Sequence, residues 1–131
     1  MFYVNLLGVI FNTKTRKILI GRRENDPYMK ELTWSFPGGI LSYGEDSEKI
    51  LIRKIKEKTG LEIVNLGCIF ARAYPEKKEL LSVYFLCEVV GGKEKAKDHF
   101  KELKWVKPEE IERYFKKPIH PRVKEFILNI K

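Results

Sequence analysis

What most constrains this chain is a glycine pair followed, after an acidic loop, by a short charged helix that stops at another glycine. Gly38 and Gly39 come directly after the apolar residues 34–36 and Pro37. Lacking Cβ atoms, they allow positive φ and a close backbone approach that side chains would block, so a phosphate or a metal can come near. Asp46 or Ser47 is placed to cap the next helix, Glu48 lies in its first turn against the positive end of the dipole, and Gly60 ends it. Ile50, Leu51 and Ile55 form a buried stripe, while Lys54, Glu57 and Lys58, spaced i, i+3 and i+4, are expected on one face.

The register of this stretch is Gly39, five residues, Glu45, seven residues, Arg53, then Ile55, Glu57, Gly60 and Leu61. It resembles the Nudix box, G-x5-E-x7-R-E-U-x-E-E-x-G-U with U apolar, and a long spaced pattern is far more specific than a lone glycine motif. The resemblance covers nearly the whole chain. It implies the α/β Nudix fold, an α/β/α sandwich around a mixed β-sheet, with the box helix on one face and the terminal helix on the other. It also implies a divalent ion, Mg²⁺ or Mn²⁺, held by the Gly39 carbonyl, Glu45 and Glu57, with Arg53 orienting Glu57 and a loop acid assisting.

The box departs from the family where the family does its chemistry. The glutamate after the arginine is Lys54 and the second of the following pair is Lys58, so three negative charges become one negative and two positive. Mg²⁺ requires oxygen ligands in near-octahedral geometry and an ammonium offers only donors, so this face is expected to hold the ion weakly if at all. The two lysines could instead meet phosphate oxygens as point charges. Ile50 and Leu51 also replace residues that are usually small in the family.

With 131 residues, 44% hydrophobic and 12% aromatic, the chain is expected to form one globular domain over residues 1–131. No apolar run reaches membrane-spanning length, and the first residues lack the basic region of a signal peptide, so a cytoplasmic protein is expected. Cys68 and Cys87, in apolar stretches without metal-ligand spacing, are expected to be buried free thiols. The net charge of +8, from 26 basic and 18 acidic residues, suits an anionic ligand, yet charges of both signs alternate as on a solvated surface. RNA binding has only that net charge behind it, and nucleic acid is not the expected partner.

Along the chain, residues 3–11 read as a central strand, 12–15 as a turn and 17–21 as a second strand. In MutT-type members the arginine pair that follows lies near the nucleotide, which makes Arg23 a substrate-contact candidate; a solvated strand end explains it equally well. Residues 64–73 and 80–90 read as two long strands around a hairpin carrying Lys77 and Lys78. Alternation places Val83, Phe85 and Cys87 on one face and Ser82, Tyr84 and Leu86 on the other. Residues 100–106 form the last strand, and by resemblance the loop before it supplies an acid, for which Asp98 is the best positional match, with Glu94 and Glu102 behind it. His99 beside it reads as an exposed loop histidine.

Residues 108–115 read as a short helix opened by Pro108. A final helix from about Pro121 presents Val123, Phe126, Ile127 and Ile130 at helical spacing. By resemblance His120 reads the base; as a helix cap it is accounted for equally well. The leading expectation is a hydrolase cleaving a phosphoanhydride in a nucleoside diphosphate linked to another moiety, a nucleoside triphosphate or an ADP-ribose-like compound, with a weakened metal site. The alternative is a catalytically inactive Nudix domain that binds a nucleotide or a protein. A homodimer is compatible with either.

Overall fold

The computed structural model describes residues 3–24, 34–74, 77–115 and 119–130. The strands are β1 (Tyr3–Asn12), β2 (Lys17–Arg23), β3 (Trp34–Ser35), β4 (Gly38–Leu41), β5 (Leu61–Tyr74), β6 (Lys77–Gly92) and β7 (Phe100–Val106). They form a mixed seven-stranded sheet in the order β3-β2-β1-β6-β5, with β4 also pairing β1 and β7 also pairing β2. The central pairing, β1 with β6, is parallel from Tyr3 opposite Leu80 to Ile10 opposite Cys87. The helices are α1 (Ser47–Thr59), α2 (Ile111–Tyr114), which continues a 3-10 turn at Pro108–Glu110, and α3 (Pro121–Leu128).

Period-two alternation in β1 explains the three layers. Leu6 and Ile10 face α1 and pack with Leu19, Ile50, Leu51, Ile55, Phe85 and Cys87. Leu7, Val9 and Phe11 face the other way and pack with Ile18, Ile20, Tyr84, Ile111, Val123 and Ile127. The expected faces of β6 are therefore those observed, and the Phe85 and Cys87 face is the one that meets α1. The fold is the expected α/β/α sandwich on a mixed sheet. Each fully buried Ile or Leu contributes about 1.5–3 kcal/mol by leaving water, so the opposed clusters hold α1 and α3 against the sheet.

The helix boundaries follow from their caps. The Asp46 carboxylate accepts hydrogen bonds from the amides of Glu48 at 2.9 Å and Lys49 at 3.2 Å, satisfying two of the first-turn donors that a helix leaves unpaired. At the other end Gly60 adopts φ 75°, and its amide donates to Lys56.

Some expectations need correction. β5 and β6 are longer than expected, because β5 starts directly after Gly60 and pairs with β6 as far as Gly92. Cys68 is exposed, whereas Cys87 is buried as expected; β5 is an edge strand whose register shifts between Cys68 and Phe70 and breaks the simple alternation. Phe126 is exposed on α3 rather than buried with Val123 and Ile127. The hairpin tip at residues 75–76 and the side chains of Lys77 and Lys78 lie outside the described residues. Among the described residues no helix is long and apolar enough to cross a membrane.

Candidate functional site

The site forms where Gly38 and Gly39 meet α1 and the β6–β7 loop; these glycines are not the positive-φ turn expected from the sequence but the first residues of β4, paired with β1. Gly38 pairs with Leu7 in β1, and a Cβ built on it would lie 1.8 Å from the Leu6 carbonyl oxygen. Only glycine fits there. Gly39 is covered from the helix side, since a Cβ on it would be 3.0 Å from Cδ of Lys54. The stem of Lys54 thus lies along Gly39.

Lys58 does not share an outward face with Lys54 and Glu57. It is 8% exposed, and its ammonium donates to the Gly38 carbonyl at 2.5 Å. The helical spacing explains this. Leu51, Ile55 and Lys58 stand at i, i+4 and i+7, a single buried stripe, and Lys58 is the polar end of that stripe. A buried ammonium must have a hydrogen-bonding partner; the Gly38 carbonyl is one.

Arg53 faces the opposite side. Its guanidinium lies 3.3 Å from Glu45 and 3.8 Å from Glu57, with the Glu57 side chain 49% exposed and that of Glu45 26%. Glu45 also closes the loop before α1, accepting the Ser42 amide at 2.8 Å. That hydrogen bond, followed by the Ser42 side chain and the charges of Arg53 and Lys54, holds the Glu45 carboxyl below its ordinary range against a smaller opposing effect of burial.

The β6–β7 loop closes the far end of α1. The amide of Lys95 donates to the Thr59 carbonyl at 2.8 Å and that of Lys97 to the Lys58 carbonyl at 2.9 Å. These bonds satisfy carbonyls that the last turn of a helix leaves unpaired, and the loop's lysines lie at the negative end of the dipole. Asp98 follows with φ 58°, a conformation Asp tolerates better than most residues, and its carboxylate lies 3.7 Å from Nε2 of His99. Glu94, the other loop acid, accepts the indole N–H of Trp105 at 2.6 Å, and Glu102 lies 3.3 Å from Arg22. Arg23 is half-buried at the end of β2, opposite Phe100.

His120 caps α3: its Nδ1 accepts the Arg122 amide at 3.1 Å, and its ring lies 4.5 Å from that of Phe70. Phe70, Tyr84, Phe36 and Phe115 continue this line of aromatic rings on the α3 side of the sheet. This aromatic line is not evident from local spacing, because Phe36, Phe70, Tyr84 and Phe115 are far apart along the chain.

The residues around Gly38 and Gly39 do not fit a resident divalent ion. Glu57 is the one box carboxylate left beside Glu45, lysines stand at positions 54 and 58, and the carbonyl of Gly38, next to the Gly39 carbonyl that the resemblance implied as a ligand, takes an ammonium. Among the described residues no group of three or more His, Cys, Asp or Glu side chains is placed to hold a metal. Mg²⁺ needs an oxygen cage, and Arg and Lys supply only donors.

The model of the NUDIX domain matches residues 1–130. This chain belongs to the Nudix family. A curated relative, the ADP-ribose pyrophosphatase of Methanocaldococcus jannaschii, is 34% identical over 92 residues, which is 68% of this chain and 53% of the relative. The chain thus spans about half the length of that relative. Among solved structures, a MutT protein from Methanosarcina mazei Go1 matches with a TM-score of 0.75 and 22% identity over 96% of this chain and 90% of its own. A NUDIX hydrolase from Nitrosomonas europaea matches with a TM-score of 0.78 and 16% identity over 95% and 69%. At these identities the structural matches speak for the Nudix fold.

Proposed function

We propose that this Nudix domain binds a nucleoside diphosphate linked to another moiety, ADP-ribose-like or a nucleoside triphosphate, and that cleavage of its phosphoanhydride is at most a slow secondary activity. The diphosphate lies along Gly38 and Gly39 beside Lys54; Arg23 and His120 are the nucleoside contacts that the family resemblance implies, His120 also serving as the cap of α3. The observation that carries this reading is the Lys58 ammonium on the Gly38 carbonyl at 2.5 Å, which puts a fixed cation where the family's chemistry calls for carboxylates and a metal. Support for the ligand class comes from the relative named ADP-ribose pyrophosphatase and from the basic balance of the chain.

A second reading, slow hydrolysis, is favoured by the retained Glu45–Arg53–Glu57 arrangement. It requires a divalent ion that arrives with the nucleotide, because the chain's own donors do not fit one. Titration calorimetry with ADP-ribose and a nucleoside triphosphate, with turnover followed in the same samples, separates the two. Binding without turnover supports the first reading. Turnover in Mn²⁺ that is abolished by Glu57→Gln supports the second, and binding of neither ligand overturns both.

A further inference from the structure

The two lysines of the box have different surroundings, and that difference divides their work. Lys58 is nine-tenths buried, and the residue ties three segments together: its ammonium reaches the Gly38 carbonyl, its backbone belongs to α1, and its own carbonyl accepts the amide of Lys97 from the β6–β7 loop. Lys54, one turn earlier, is only half-buried, and its aliphatic stem runs along Gly39.

We propose that Lys58 is a resident cation that fixes the start of β4 at Gly38 in place of a divalent ion, and that Lys54 is the box lysine that meets the phosphates. The inference rests on the diphosphate-binding reading above and specifies how the site achieves it. Like charges that share one small site raise each other's energy, so an ammonium on the Gly38 carbonyl opposes the entry of a second cation there. The charge that offsets the diphosphate is then supplied by the protein. It needs no ion from solution. Arg53 stays with Glu45 and Glu57, and its part is to keep those carboxylates from repelling the ligand.

The test uses the full chain and two probes, Mn²⁺ alone and inorganic pyrophosphate, with ADP-ribose as a third. Mn²⁺ uptake is read by its electron paramagnetic resonance signal and anion binding by calorimetry, in EDTA and in excess Mg²⁺. The wild type is expected to take up no Mn²⁺ and to bind pyrophosphate in EDTA within about twofold of its affinity in Mg²⁺. Lys54→Ala is expected to lose about tenfold or more in pyrophosphate affinity, the scale of one charge-assisted contact, with its melting temperature retained. The double variant Lys54→Glu, Lys58→Glu, which restores the carboxylates of the box, is expected to take up Mn²⁺ and to bind pyrophosphate only with a divalent ion.

Stoichiometric Mn²⁺ binding by the wild type, or pyrophosphate binding only in Mg²⁺, overturns the inference, as does a Lys54→Ala variant that binds like the wild type. Pyrophosphate binding without ADP-ribose binding leaves the inference standing and removes the nucleotide reading. Binding of neither removes both.

Discussion

Replacing Lys58 by methionine keeps the length and most of the volume of its stem but deletes the ammonium. The Gly38 carbonyl then loses a charged donor 2.5 Å away, at a position where the side chain is 8% exposed and water is poorly placed to replace it. A hydrogen bond to a charged group contributes about 1.5–3 kcal/mol net, and the lower part of that range applies because the substitution also removes the cost of burying a charge. A loss of about 2 kcal/mol is therefore expected. For a chain of this size, roughly 3–5 °C of melting temperature per kcal/mol gives a drop of about 6–10 °C. Differential scanning calorimetry checks this, with the urea midpoint as a second measure. Lys58→Glu, which sets a carboxylate against the same carbonyl, should fall further in EDTA and recover part of the loss in Mn²⁺. An unchanged or raised melting temperature in Lys58→Met would refute the argument that the ammonium pins the start of β4.

Gly60→Ala combines a φ of 75° with a Cβ that would lie 2.1 Å from the Lys93 carbonyl oxygen, so a destabilisation above about 2 kcal/mol is expected in urea unfolding. The folded-state pKa of Glu45 is lowered, so its contribution to stability is present above the ordinary carboxylate value and is lost as pH falls through the folded value. Glu45→Gln should flatten the acid limb of the stability curve, and an unaltered limb would contradict this. Burial pushes the Cys87 thiol up to about 12, so a maleimide at neutral pH should label the exposed Cys68 in the native protein and reach Cys87 only on unfolding. Mass spectrometry of the labelled peptides reads this directly.

Much of this architecture was legible in the residues. Asp46 and Gly60 mark α1 because a helix end needs an acceptor for its amides and a residue tolerant of positive φ, and both requirements are local. The alternation of Phe85 and Cys87 against Tyr84 likewise sorts β6 between two layers without any tertiary information. Local rules failed where the partner is distant in sequence. The grouping of Lys54, Glu57 and Lys58 on one face took account of i+3 and i+4 neighbours, but Lys58 also continues the stripe of Leu51 and Ile55, and twenty residues separate it from the carbonyl that draws it inward. Cys68 escaped for a related reason. The register shift in an edge strand depends on its pairing with β6, which the apolar run alone does not reveal. The docking of the β6–β7 loop on the end of α1 was hidden too, since backbone amides carry that contact.

The deciding question is whether a diphosphate sits at Gly38 and Gly39 without a metal between them. Crystals of the protein grown with ADP-ribose and Mn²⁺, measured at the manganese absorption edge, answer this in one experiment. Expected are density for the diphosphate beside Lys54, the Lys58 ammonium still on the Gly38 carbonyl, and no anomalous peak between them. A manganese peak bound by that carbonyl and Glu57, with Lys58 turned away, would contradict this.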